Sequence, residues 1–209
     1  MSNDLPPAGG SHTFAIAITG ASGALYAMRT MAALLERHCH LEVVVSEYGR
    51  RLLHDELGEG ASVSRLREYL VEKYGEPAKR GSFVVHSNKD LGAAIASGSH
   101  DCEAMVIVPC SMKTLAGVAH GLSRNLVERA ADVMLKEKRR LVIVPREAPM
   151  SLPQLKNMVL CAEAGAMILP AMPAFYQMPK TLDDLADFMA GKIVSALGFS
   201  QTLYPKWNG

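Results

Sequence analysis

The sequence predicts an α/β fold, a doubly wound and mostly parallel sheet with helices on both faces. Three observations predict it. Short, unbroken apolar runs recur along the chain: FAIAIT at 14–19, LEVVVS at 41–46, AMVIVP at 104–109 and LVIVP at 141–145. They are rich in Val and Ile and bounded by turn residues, the pattern of strands buried on both sides. Between them lie longer stretches with apolar residues three and four apart, the helical period. Strands that alternate with helices build right-handed crossovers and hence a parallel sheet.

Each element follows from local pattern. Phe14–Thr19 is the first strand, ending at Gly20. Gly23–Arg37 carries Leu25, Met28, Ala32 and Leu35 at helical spacing. Leu41–Ser46 is the second strand, and Glu47–Leu57 the next helix. Residues 58–82 are polar and contain Gly58, Gly60, Gly75 and Pro77, so they read as a surface excursion with a helix at Ser64–Tyr74. Phe83–His86 is a short strand. Asp90–Ser97 reads as a short helix, capped by Asp90 and stopped by Gly98. The strands Ala104–Pro109 and Leu141–Pro145 enclose two helices, Met112–His120 and Leu126–Lys138. Leu152–Ala164 is helical, Met167–Pro170 is a short strand, and Asp183–Leu197 is the last helix with Thr181 at its start. Residues 1–12 read as a flexible tail and 13–209 as one domain.

Composition narrows the function classes. The 209 residues are 49% hydrophobic and 21% charged, with only 6% aromatic residues. That suits a globular chain with an aliphatic core. Lys and Arg number 22 against 21 Asp and Glu, a net charge of +1. This argues against a broad nucleic-acid surface. Cys39, Cys102, Cys110 and Cys161 form no C-x-x-C pair, so they read as buried thiols of a cytoplasmic protein rather than zinc ligands. No secretory leader and no membrane span is expected.

In an open parallel sheet, ligands bind beyond the carboxyl ends of the strands, so those ends locate the candidate chemistry. Thr19-Gly20-Ala21-Ser22-Gly23 is a Gly-rich turn into a helix. It suits an anion cradle or a tight turn capped by Ser22, and it matches neither G-x-G-x-x-G nor a Walker loop. The second strand ends at Ser46, with Asp55 and Glu56 ten residues on, a pair that alone reads as a solvated helix end. The run Cys110-Ser111-Met112-Lys113-Thr114 offers two hydroxyls and a lysine at a helix start. Cys110 lacks a local His or acid partner and reads as a packing residue.

Residues 123–146 hold Arg124, Arg129, Lys136, Lys138, Arg139, Arg140 and Arg146 against Glu128, Asp132 and Glu137. Arg129 and Lys136 are seven apart and share a helix face. Lys138–Arg140 reads as a solvated face. Arg146-Glu147 ends a strand, where an Arg suits phosphate and a Glu suits proton transfer. The loop Pro170-Ala171-Met172-Pro173-Ala174-Phe175-Tyr176 presents apolar surface and a phenol, suited equally to a neighbouring subunit or a substrate wall.

Taken in order, T-G-A-S-G, P-C-S-M-K-T-L-A-G, L-x-x-R-A-A-D-V-x-L-K-E, P-R-E-x-P and P-A-x-P-A-F-Y resemble the flavin prenyltransferase family (UbiX/Pad1) over nearly the whole chain from Thr13. The resemblance implies a Rossmann-like flavoprotein that takes reduced FMN as acceptor substrate and dimethylallyl phosphate, in some members the diphosphate, as donor. It implies a dimethylallyl group joined to flavin N5 and C6, no metal, and prenylated FMN delivered to a UbiD-type decarboxylase. It also implies a homododecamer with sites at subunit junctions.

Residue by residue, it places Gly20, Ala21, Ser22, Ser46, Ser111, Met112, Lys113, Thr114 and Arg146 at the flavin. Ser22 and Glu56 fall at proton handling. Arg129, Lys136, Glu147, Tyr176 and Lys192 fall at the donor phosphate, with Glu147 as the acid. Two departures stand out: Glu47-Tyr48-Gly49 replaces the Lys-Ala-Ala of many relatives, and Lys192 stands where some have Arg. Phe175 or Trp207 is a candidate second π-face. The alternatives are a flavin-dependent cysteine decarboxylase, against which the absence of Asn in Pro-Cys-Ser-Met-Lys-Thr counts, and a non-catalytic FMN carrier.

Overall fold

The computed structural model describes residues 12–205; the tail at 1–11 and Trp207 lie outside the described residues. Six strands form one sheet: β1 (Thr13–Ile18), β2 (His40–Val45), β3 (Ser82–Ser87), β4 (Ala104–Cys110), β5 (Arg140–Pro145) and β6 (Met167–Ile168). Their order is β3-β2-β1-β4-β5-β6. Every pair is parallel, so the sheet is wholly rather than mostly parallel. The helices are α1 (Ala24–Leu35), α2 (Glu47–Leu57), α3 (Leu66–Tyr74), α4 (Met112–Ala119), α5 (Leu126–Lys136), α6 (Leu152–Glu163) and α7 (Leu182–Ala196).

Strand alternation divides the core in two. Phe14, Ile16, Ile18, Leu41, Val43, Val45, Val106 and Val144 point to one face and pack with residues of α1, α3 and α7. Ala15, Ala17, Val44, Met105, Ile107 and Ile143 point to the other and pack with α4 and α5. The central strands β1, β4 and β5 are buried almost throughout, which is why their sequences read as unbroken apolar runs.

Strand order reverses between β1 and β4, which opens the crevice where such folds bind ligands. Thr19 fixes the two lips of that crevice. Its hydroxyl donates to the Pro109 carbonyl at 2.9 Å and accepts from the Ser111 N–H at 2.8 Å.

One predicted element is corrected. Asp90–Ser97 does not form a helix; it holds only a 3-10 turn at Ala94–Ala96. The segment instead runs alongside α5, where the Ala96 and Gly98 carbonyls accept from Arg129 and Arg139. At its start the Asp90 carboxylate closes a local turn by accepting the Gly92 N–H at 3.0 Å, a competitor to the helical ladder. The strand expected at Met167–Pro170 shortens to two residues, while Thr181 caps α7 as expected, in a reciprocal box with Asp184.

Candidate active site

The carboxyl ends of β1, β2, β4 and β5 bring together most of the predicted residues. After β1, β2 and β4 the chain turns into α1, α2 and α4, so three helix N-termini face the same edge. Ser46 caps α2 by accepting the Gly49 N–H at 3.0 Å. Ser111 caps α4, accepting the Thr114 N–H at 3.3 Å and donating to the Thr114 hydroxyl at 3.1 Å. Lys113 is exposed on the first turn of α4 and Met112 is half-buried. Gly20 is required by a neighbour, because a Cβ there would stand 2.5 Å from the Cβ of Tyr48. Ala21 is buried and Ser22 is exposed.

Glu56 is not merely a solvated helix end. Its carboxylate reaches across from the last turn of α2 to the start of α1. It accepts the Gly23 N–H at 3.0 and 3.2 Å and the Ala24 N–H at 2.8 Å. Gly23 adopts φ of 119°, a left-handed conformation that favours glycine and turns these N–H groups toward the carboxylate. A negative group at a helix N-terminus is stabilised by the orphan N–H donors and the positive dipole end. That placement puts Glu56 within one residue of Ser22.

Arg146 closes the edge from β5. Its Nε donates to the Ser22 carbonyl at 3.1 Å, which ties the end of β5 to the first turn. The next residue, Glu147, accepts its own neighbour's N–H, that of Ala148, at 3.1 Å. The half-buried phenol of Tyr26 lies in the same field and carried no signal in sequence. Burial raises its pKa, Arg146 pulls it down, and Glu56 pushes it up. Only the adjacency of α1 to the ends of α2 and β5, a tertiary fact, reveals it.

Cys110 is wholly buried, and burial pushes its thiol above the ordinary value, so packing is its role here. Cys39, Cys102 and Cys161 are likewise buried and free.

The remaining predicted residues take no part in these contacts. Lys136 ends α5, just before β5 begins at Arg140, whereas Arg146 follows the end of β5. A six-residue strand is about 20 Å long, so the two cations sit at opposite edges of the sheet. Lys136 pairs with Glu137. Arg129 donates to the Ala96 carbonyl at 3.1 Å and to Asp132 at 2.8 Å. Tyr176 and Lys192 meet a common ring: Tyr176 lies edge-on to Phe188 at 6.2 Å, and the Lys192 Nζ stands 5.5 Å from the Phe188 centroid.

In the 138–140 stretch Lys138 and Arg140 are exposed as expected, and only Arg139 departs. Arg139 is not a solvated residue, because it donates to the His100 and Gly98 carbonyls at 2.7 and 2.6 Å. Arg140 donates to the Ala196 carbonyl at 2.8 Å.

The strand-end edge can hold an anion on helix N-termini and seat a flat, phosphorylated molecule in the crevice. Proteins of like sequence and structure are consistent with that chemistry. The family model described as Flavoprotein matches residues 6–194. The flavin prenyltransferase UbiX of Alkalihalophilus pseudofirmus is 45% identical over 193 residues, 92% of this chain and 94% of the relative. The crystal structure of AnUbiX (PadA1) in complex with FMN and dimethylallyl pyrophosphate superposes with a TM-score of 0.85 at 35% identity, covering 95% of this chain and 98% of the other. A dodecameric FMN-dependent Ubix-like decarboxylase from Escherichia coli O157:H7 gives 0.82 at 34% identity, covering 94% and 100%. By sequence along nearly its whole length and by fold, the chain belongs to the UbiX flavin prenyltransferase family of flavoproteins.

Proposed function

We propose that this protein joins a dimethylallyl group from dimethylallyl phosphate to N5 and C6 of reduced FMN, giving prenylated FMN for a UbiD-type decarboxylase. The observation that carries the reading is the strand-end edge, where Ser22, Ser46, Glu56, Ser111, Arg146 and Glu147 meet at the reversal of strand order. The residues fit the flavin. Helix α4 keeps its Met112 and Lys113 N–H groups and the Lys113 ammonium at the crevice beyond the Ser111 cap, a suitable place for its phosphate. Gly20, Ala21 and Ser22 line the adjoining turn, with the Arg146 guanidinium against the Ser22 carbonyl.

Reduced FMN supplies the nucleophilic nitrogen and the adjacent ring carbon. The protein's residues do the rest. Breaking an allylic C–O bond places negative charge on the departing phosphate. Arg129, Lys136 and Lys192 stabilise that charge, and Glu147 delivers a proton to the phosphate oxygen. Tyr176 orients the phosphate by hydrogen bonding. Closing the ring bonds C6 to the alkene, whose other carbon gains a proton while C6 loses one; Glu56, held over Ser22, takes the C6 proton and returns one to the alkene. Phe175, exposed in the Pro-rich loop, walls the five-carbon unit from water.

Because Lys136 lies at the end of β5 opposite Arg146 and Glu147, it serves the site of an adjoining copy. The chain thus works as a homo-oligomer, a dodecamer on the precedent of the solved relative. The exposed apolar residues Met172, Phe175 and Met178 support such contacts. Among the described residues no helix is long and apolar enough to cross a membrane. A cytoplasmic location and a single flavoprotein domain over 13–209 complete the reading.

The test is direct. Reduced FMN, dimethylallyl phosphate and the protein are incubated anaerobically and the flavin is weighed; a five-carbon addition is expected. Glu147→Gln is expected to retain FMN while turnover falls by about 100-fold or more. An unmodified flavin with the intact protein would overturn the function, and wild-type turnover in Glu147→Gln would remove its acid role.

A further inference from the structure

Away from the crevice, three histidines surround one buried carboxylate. Glu42 sits in the middle of β2 at 5% exposure. Alternation places it on the same sheet face as His40 and Val44, and β3 pairs His86 with Val44. The His86 Nε2 contacts one Glu42 oxygen. The His100 Nε2 lies 3.2 Å from the other, and the His40 Nε2 3.6 Å from it. The His40 ring is oriented by its Nδ1, 2.8 Å from the Ser82 hydroxyl. Among the described residues no group of His, Cys, Asp and Glu is arranged to hold a metal ion. The cluster is therefore a hydrogen-bonded one.

His100 brings the irregular segment 93–102 to Glu42, and in that segment Ala93, Ile95, Ala96 and Cys102 are buried. That segment is tied to Arg129 of α5 and to Arg139 just beyond the end of that helix. The Ala96 carbonyl accepts from Arg129, and the Gly98 and His100 carbonyls accept from Arg139. Gly98 lies close under the Lys136–Glu137 pair, since a Cβ there would stand 2.1 Å from the Glu137 Oε1 and 2.9 Å from the Lys136 Nζ. His100 is thus held twice, by its ring at Glu42 and by its carbonyl at Arg139. The segment it anchors is the surface on which Arg129 and Lys136 rest.

We infer that Glu42 and His100 are positioning residues for prenyl transfer: together they fix segment 96–100, which sets Arg129 and Lys136 at the spacing that receives the donor phosphate. The inference rests on the reading that these two cations bind that phosphate. It assigns a task to a buried carboxylate that the reaction otherwise leaves unused. A carboxylate between three imidazoles is a strong anchor, because hydrogen bonds to a charged group exceed those between neutral ones.

The experiment measures steady-state prenyl transfer at saturating reduced FMN, with dimethylallyl phosphate varied, in Glu42→Gln, His100→Ala and His100→Gln. A misplacement of about 1 Å costs up to about 100-fold. Loosening one end of the segment is expected to raise the donor KM roughly tenfold in Glu42→Gln and His100→Ala. The turnover number and FMN affinity should stay near wild type. His100→Gln keeps a donor to Glu42 and should restore much of the loss. His100→Ala leaves the Glu42–His86 contact in place, so it reports even where Glu42→Gln folds poorly.

An unchanged donor KM in both variants would overturn the inference. So would a fall in turnover and FMN affinity alongside it, the mark of general destabilisation. Arg129→Ala and Lys136→Ala separate the two levels. If these raise the donor KM while Glu42→Gln and His100→Ala do not, the positioning role alone fails. If they too leave it unchanged, the phosphate assignment fails and the positioning role with it.

Discussion

Glu56 offers a perturbation in which stability and chemistry separate. Its carboxylate accepts N–H groups from Gly23 and Ala24 at 2.8–3.2 Å and so serves as the cap of α1 from a distance of more than thirty residues in sequence. Glu56→Ala removes the acceptor and the charge together. Loss of a cap costs about 1 kcal/mol, and the exposed charge at a helix dipole adds about 0.3 kcal/mol. For a chain of this length about 1.3 kcal/mol corresponds to a fall in Tm of roughly 3–5 °C.

Glu56→Gln keeps a carbonyl oxygen for the same N–H groups and loses only the charge. Its cost is about 0.3–0.5 kcal/mol, or roughly 1–2 °C. An amide cannot take up the proton, so ring closure is expected to slow by about 100-fold or more. The assay pairs thermal melting with mass and absorbance analysis of the flavin. The Gln variant should add the five-carbon unit but fail to close the fourth ring. Ring closure at the wild-type rate in Glu56→Gln would refute the proton role. A Glu56→Ala protein melting with the wild type would refute the cap.

Other consequences are equally measurable. Burial pushes the pKa of Glu42 up, but the His86 hydrogen bond and the charges of His86, His100 and His40 outweigh it, leaving the net value lowered. A lowered folded value means that the contribution is full above the ordinary carboxylate range and fades as pH falls through the folded pKa. Urea unfolding of wild type and Glu42→Gln should therefore differ at pH 6 and converge toward pH 3. Gly117→Ala would bring a Cβ to 2.5 Å from the buried Glu128 carboxylate, which Arg124 holds at 2.8 Å. Overpacking of this kind costs about 1–3 kcal/mol, readable by melting. Burial raises the Cys39, Cys102 and Cys161 thiols to about 11, and Cys110 further. A thiol reagent at pH 8 should label none of the four in the folded protein and all four in urea.

Sheet and crossover helices were legible because they rest on short-range periodicity. FAIAIT and AMVIVP are buried on both faces, so nothing in them interrupts the apolar run. Glu42 inside LEVVVS was passed over for the same reason: a strand reading absorbs one charged position without showing what lies opposite it. The three histidines that meet it come from β2, β3 and a loop and share no spacing. Asp90–Ser97 misled because Asp90 and Gly98 look like helix ends. There the Asp90 side chain closes a local turn onto Gly92, and Arg129 and Arg139 tie down the carbonyls of Ala96 and Gly98. At the crevice the turn residues and Arg146 were found by topology, since strand ends are where such sheets bind. Tyr26 escaped because it sits within a helix, one turn past the cradle.

The separation of Lys136 from Arg146 by the full length of β5 bears on how defective copies combine. On the proposed reading one subunit lends its lower edge to another's upper edge, a head-to-tail contact that must close on itself to leave no end unfilled. A copy lacking Lys136 and a copy lacking Arg146 would each be impaired alone at low donor. Mixed in one assembly, some junctions would pair the sound edge of one with the sound edge of the other. Two impaired proteins co-expressed would then regain a share of activity set by chance pairing, and the size of that share would count how often unlike copies meet.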